Sequence, residues 1–177
     1  MLSGKLVNLR AVEPADYRLL WRWLNDPEVM YFWGRPGNTE SLPEVMDREL
    51  AQSKRGDTRK YVVETKDADP IGQIDYYDLN WQYRNAWVSI MLGERDYWGG
   101  GYGTDAMRTL LRYLFDQLRL HRVSLTTHET NARAIRSYQK NGFVAEGTLR
   151  EWQFFNGNWV NGVIMSVLEQ DFAQLSS

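Results

Sequence analysis

The chain has 177 residues, 43% hydrophobic and 25% charged, with a formal net charge of −2. That balance describes one folded domain able to bury a core, and it excludes the basic field of a general nucleic-acid binder. With no cysteine and only His121 and His128, disulfide frameworks, thiolate nucleophiles and metal sites built on cysteine or clustered histidine are excluded, and no metal is expected. Leu6-Val7-Asn8-Leu9 alternates as a short strand. Pro14 suits the first turn of a helix, and from Ala15 onward Leu19, Leu20, Trp23 and Leu24 recur at helical steps until Asn25-Asp26-Pro27 stops them. Tyr31 to Gly37 reads as an aromatic loop. Ser41-Leu42-Pro43-Glu44 has capping-box spacing and predicts a second helix to about Ser53.

Tyr61–Glu64, Ile71–Asp78 and Ala86–Leu92 follow as strands of an antiparallel meander, with a turn at Asp67–Pro70. In the third strand Ala86, Val88, Ile90 and Leu92 share one face, and Trp87, Ser89 and Met91 share the other. The period then changes. Met107, Leu110, Leu111, Leu114, Phe115 and Leu118 form a helical stripe from Thr104 onward. Val123–Thr127 is a strand, and Asn131–Lys140 a helix stopped by Asn141-Gly142. Further strands are expected at Phe143–Val144, around Trp152–Phe155 and at Val163–Leu168, with hairpin dipeptides at Asn156-Gly157 and Asn161-Gly162. No linker or repeat divides the chain, so the expectation is one α/β domain over residues 1–177, built on a mixed sheet. The N-terminus lacks the apolar region of a signal peptide, and no run reaches the roughly 18 apolar residues of a membrane span. A cytoplasmic protein without a membrane partner is expected.

The strongest local signal is Trp98-Gly99-Gly100-Gly101-Tyr102-Gly103-Thr104, between a strand and the amphipathic helix. Glycine permits positive φ and close backbone approach, and amides at a helix start hold an anion. A diphosphate fits there without a cationic side chain. The loop lacks the Gly-Lys-Ser/Thr ending of an ATP-binding P-loop. It also lacks the third glycine and the βαβ setting of a dinucleotide fingerprint.

These residues resemble the GNAT superfamily of acetyltransferases, whose pyrophosphate loop is Q/R-x-x-G-x-G/A. Gly101 and Gly103 match its glycines, while Trp98 stands where Gln or Arg is expected. That tryptophan variant is familiar in the subgroup of ribosomal-protein N-terminal acetyltransferases. Asn131-Ala132-Arg133-Ala134-Ile135-Arg136-Ser137-Tyr138-Gln139-Lys140-Asn141-Gly142-Phe143 is similar to the signature N-x-x-A/S-x-x-x-Y-x-K-x-G-F. Glu146-Gly147-Thr148-Leu149-Arg150-Glu151 again resembles that subgroup. The resemblance spans essentially the whole chain.

It implies a single α/β (α+β) domain with a mixed, mostly antiparallel twisted sheet of about seven strands. Helices would lie on both faces, and a V-shaped splay would admit acetyl-CoA as co-substrate. It further implies transfer of the acetyl group to a primary amine by direct attack. Met91, Leu92 and Gly93 would meet the pantetheine arm, and a backbone N–H near Leu92 would polarise the acetyl carbonyl. Amides of Trp98, Gly99, Gly100, Gly101, Tyr102, Gly103 and Thr104 would hold the pyrophosphate. Asn131 would bond the pantetheine and Arg133 a phosphate. Tyr138 is the candidate general acid, since a phenol of pKa about 10 stays protonated beside a thiol of about 8.5.

The general base is open between Glu94 just past the strand, Asp75 on the neighbouring strand, and a water chain. His121 reads as a surface or capping residue, whereas His128 and Glu129 follow the strand that would border the slot, where Glu129 could attract an amine. Tyr31–Trp33, Trp81 and Tyr83 would wall the acceptor pocket or form a homodimer seam. The acceptor stays open among a protein N-terminus, a polyamine, an aminoglycoside and an amino-sugar nucleotide. A non-catalytic acyl-CoA sensor of the same fold is the alternative function.

Overall fold

The structure is a computed structural model and describes residues 1–33, 39–155 and 157–175. Strands β1 (Leu2–Ser3) and β2 (Val7–Ala11) lead through a 3-10 turn at Pro14–Asp16 into α1 (Tyr17–Leu24), and α2 (Leu42–Ser53) follows. The meander is β3 (Arg59–Thr65), β4 (Pro70–Asn80) and β5 (Asn85–Leu92). After it come α3 (Tyr102–Arg112), β6 (Arg122–His128), α4 (Ala132–Gln139), β7 (Val144–Phe155), β8 (Asn158–Leu168) and α5 (Glu169–Leu175). One sheet holds all eight strands in the order β1-β2-β3-β4-β5-β6-β8-β7. Among the described residues only the β5–β6 pair is parallel. No helix among the described residues is long and apolar enough to cross a membrane.

Local chemistry accounts for most boundaries. The backbone N–H of Ser41 donates to Glu44 Oε2 at 2.7 Å, and the N–H of Glu44 donates back to Ser41 Oγ at 3.4 Å, closing the expected capping box. Gly142 adopts φ 86° after α4, the left-handed stop that its sequence implied. The two faces of β5 separate two cores. Ala86 and Val88 pack with α3, while Met91 packs with Leu20, Trp23 and Val45 of α1 and α2. Asp105 ties the N-terminus to α3. Its buried carboxylate accepts backbone N–H groups from Lys5 (3.1 Å), Leu6 (2.7 Å) and Val7 (3.1 Å). Asp105→Ala would orphan all three donors and should destabilise the fold by about 3 kcal/mol or more, measured by denaturant unfolding. A loss under about 1 kcal/mol would show that the carboxylate is not the tie.

The sheet has eight strands where about seven were expected. β1 is too short to show an alternation, and the segments at Phe143–Val144 and Trp152–Phe155 belong largely to one strand. Asn161-Gly162 is not a turn but lies inside β8. There Gly162 pairs with Leu149 while Val160 pairs with Gln153, so Arg150, Glu151 and Trp152 bulge opposite Asn161. Asn161 Oδ1 accepts the Glu151 N–H at 2.9 Å. A Cβ at Gly162 would fall 2.7 Å from the Trp152 ring, so this glycine serves close packing. Of the other dipeptide, Gly157 lies between β7 and β8 at φ 78°; Asn156 and the expected loop residues Gly34–Gly37 lie outside the described residues. α5 escaped the sequence reading because its seven residues bury only Phe172.

Candidate active site

The site begins where two strands part. β5 and β6 pair only at Asn85, Ala86 and Trp87 with Arg122, Val123 and Ser124. Beyond Trp87, β5 follows β4 and β6 follows β8, which opens a V. The Gly93 N–H donates to the Ile71 carbonyl at 2.9 Å, so the odd residues of β5 turn their backbone groups towards β4. By the alternation of an antiparallel ladder, Val88, Ile90 and Leu92 turn theirs into the gap. The Leu92 carbonyl accepts a hydrogen bond from Trp98 Nε1 at 2.9 Å. Of the expected pantetheine stretch, Leu92 therefore faces the cleft. Met91 points into the α1–α2 core, and a Cβ on Gly93 would lie 2.1 Å from the Trp23 ring.

The glycine loop closes the wide end of the V. Gly99 and Gly101 hold φ 81° and 89°, which side chains resist. The first bond of α3 runs from the Asp105 N–H to the Gly101 carbonyl at 2.9 Å. The amides of Tyr102, Gly103 and Thr104 precede it and have no partner within the helix, as an anion site requires. Thr104 contributes no free hydroxyl, because its Oγ1 lies 2.8 Å from Ser137 Oγ on α4. A Cβ on Gly103 would come 3.5 Å from Leu92 Cδ1, so α3 starts against β5. Gly101→Ala should cost about 1–2 kcal/mol through its positive φ and raise the KM for acetyl-CoA. An unchanged KM would remove this loop from cofactor binding.

Arg108 and Lys140, which sequence reading missed, line a recess of about 170 Å³ with Gly101, Thr104 and Asp105. Buried Asn141 joins the helices there. Its Nδ2 donates to the carbonyls of Thr104 and Ser137, both at 3.1 Å, and its Oδ1 accepts from Arg108 Nε at 3.2 Å. Arg133 stacks 4.2 Å over the Trp98 ring, and burial lowers its pKa. Asn131 caps α4, accepting the Ala134 N–H at 3.2 Å, and lines the main cavity.

That cavity has a volume of about 520 Å³. Gln73, Asp75 and Tyr77 on one face of β4, with Trp87 and Ser89 of β5, line one side of it. Val88, Ile90 and Tyr138 reach it from the other face of the sheet. It therefore passes through the sheet at the splay. Phe32, Trp33 and Trp152 add aromatic walls, Trp152 being delivered by the β7 bulge. Tyr138 is buried, and burial, with the neighbouring Tyr77, pushes its phenol up to about 12. Burial also raises the Asp75 carboxyl, although Ser89 Oγ donates a hydrogen bond to it and Lys60 opposes the rise. The other charges facing the cavity are compensated, Arg48 by Glu40 and Lys60 by Glu49. Asp75 has no salt-bridge partner among the described residues.

Glu94, one of the two carboxylates expected as a candidate base, does not line this cavity. It accepts from Trp23 Nε1 at 2.8 Å and pairs with Arg22, holding α1 on the end of β5. Glu129 accepts from the backbone and side-chain N–H groups of Asn161, both at 3.1 Å. His128 is buried behind the wall. Its Nε2 bonds Gln153, and its ring meets Trp152 and Phe32 edge-on at 5.8 and 6.2 Å. His121 is exposed. Trp81 and Tyr83 are exposed and do not line the cavity. Gln73, Trp152 and Gln153 were missed; the alternation Gln73-x-Asp75-x-Tyr77 was the available signal.

The acetyltransferase (GNAT) domain family matches this chain over residues 7–144. The chain is similar to the spermidine N(1)-acetyltransferase of Escherichia coli (strain K12), at 29% identity over 97% of this chain and 91% of that protein. It is also similar to the aminoglycoside N(6')-acetyltransferase type 1 of Klebsiella pneumoniae, at 26% identity over 83% and 78%. Among solved structures, spermidine N-acetyltransferase from Vibrio cholerae in complex with CoA and spermine superposes with a TM-score of 0.89 at 27% identity. That match covers 96% of this chain and 99% of the other.

Proposed function

We infer, for a chain that belongs to the acetyltransferase (GNAT) family and is an acetyl-CoA-dependent N-acetyltransferase, that its acceptor is a small primary amine of the polyamine kind. One observation carries the reading: Asp75 and Tyr138 line a single cavity from opposite faces of the sheet, at the splay. The carboxylate of Asp75, which has no salt-bridge partner among the described residues, offers an ammonium its counter-charge, and the named activities of the relatives agree with a small amine.

In this proposal the first-turn amides of α3 hold the pyrophosphate, with Arg108, Lys140 and Arg133 nearby as cations. The open edge at Ile90 and Leu92 pairs with the pantetheine arm, and an edge N–H polarises the thioester carbonyl. Asp75 takes a proton from the ammonium. Its raised pKa brings it closer to that task at neutral pH than an ordinary carboxylate. The neutral nitrogen attacks the carbonyl carbon, the C–S bond breaks as Tyr138 protonates the departing thiolate to the CoA thiol, and the extra proton on the new amide nitrogen leaves to solvent, from which Tyr138 is reprotonated. A phenol near 12 is a weaker acid than a thiol, so its proton moves in concert with C–S cleavage.

A protein N-terminus is the second reading, favoured by the Trp98-Gly-x-Gly-Tyr-Gly form of the loop. A thiol-release assay with acetyl-CoA against spermidine, an aminoglycoside and ribosomal-protein N-terminal peptides separates the two. Turnover is expected with spermidine. Turnover with the peptides alone would overturn the polyamine reading.

A further inference from the structure

Gln73 stands two residues before Asp75 on β4, so both side chains leave the same face of the strand. Gln73 lines the cavity and is only 5% exposed. Its Oε1 is buried without a hydrogen-bond partner among the described residues. The contrast with Asn141 is direct, since that buried amide makes three bonds. A buried amide left unpaired lowers stability, and an apolar side chain of the same shape would remove the penalty. A polar group retained in a binding wall at such a cost is explained by a ligand that completes it.

We propose that Gln73 accepts a hydrogen bond from a second N–H or O–H donor of the acceptor, one strand repeat away from the amine that Asp75 receives. This rests on the small-amine reading above and assigns Gln73 as the residue that reads the second donor. Two residues along a strand span about 6.6 Å, close to the reach of roughly four methylenes between two nitrogens. A primary amide can turn either atom to the ligand, and an ammonium or hydroxyl donor selects its oxygen. A second carboxylate in this place would repel Asp75 in a buried setting, whereas a neutral amide reads the donor without that conflict.

The test compares kcat/KM for 1,4-diaminobutane and n-butylamine, at saturating acetyl-CoA, in the wild-type enzyme and in Gln73→Leu. The wild type should favour the diamine by about ten- to a hundredfold, and in Gln73→Leu the ratio should collapse to within about threefold. The free variant should melt about 2–4 °C higher, since it loses an orphaned polar group. A diamine preference absent from the wild type, or surviving in Gln73→Leu, would overturn the inference and leave the small-amine reading standing. A lower melting temperature would also overturn it, by showing the amide to be a structural contact. If the wild type acetylates neither amine nor spermidine, the acceptor reading fails and this inference fails with it.

Discussion

Tyr138→Phe should lower kcat by about 10²–10⁴ while moving the KM for acetyl-CoA by no more than about threefold. The hydroxyl is carried by a buried ring that packs on Phe143, with centroids 5.8 Å apart. Phenylalanine keeps that packing, so the variant removes one proton donor and little else. Because burial and Tyr77 hold the phenol up at about 12, its loss of a proton should produce no alkaline limb below about pH 10. Steady-state kinetics across pH would check both statements. A kcat within about threefold of wild type would exclude Tyr138 as the acid.

Asp75→Asn should reduce kcat/KM by about 10²–10³ and flatten its acidic limb. The sign follows from the raised carboxyl pKa. The carboxylate form does the work, so in the wild type the rate falls as pH drops through a value above the ordinary aspartate range near 3.9. Stability runs the other way. A raised folded pKa means that the fold favours the neutral carboxyl, a contribution complete below the unfolded pKa and lost as pH rises through the folded one. Asp75→Asn should therefore melt no lower than wild type at pH 8. A variant that is both inactive and less stable would point to a structural carboxylate. An unchanged acidic limb would return the base to a water chain.

How far the sequence reached depended on how local each signal was. Ser41 and Glu44, the glycines at 99 and 101, and the Asn141-Gly142 stop are each decided within a few residues, and each stands where the pattern placed it. Asn161-Gly162 carried the same kind of signal and was misread. The bulge at Arg150–Trp152 that needs this glycine lies on the partner strand, and pairing register is a long-range property. Glu94 illustrates the other limit. Its position after β5 suggested a base, but Arg22 and Trp23 come from a helix some 70 residues earlier in the chain and occupy its carboxylate. The cavity was the least legible feature. Gln73, Asp75 and Tyr77 alternate plainly, yet only the splay beyond Trp87 and the cover of α1, α2 and Trp152 turn that face into a site.

The central claim is that the acceptor amine and the thioester meet in one cavity through the sheet. A conjugate joining the CoA sulfur to spermidine through an acetyl bridge tests it most directly, by calorimetric titration beside CoA alone. The through-sheet cavity predicts that the conjugate binds at least about a hundredfold tighter than CoA, since it occupies both arms of the splay at once. A conjugate that binds no tighter than CoA would contradict it.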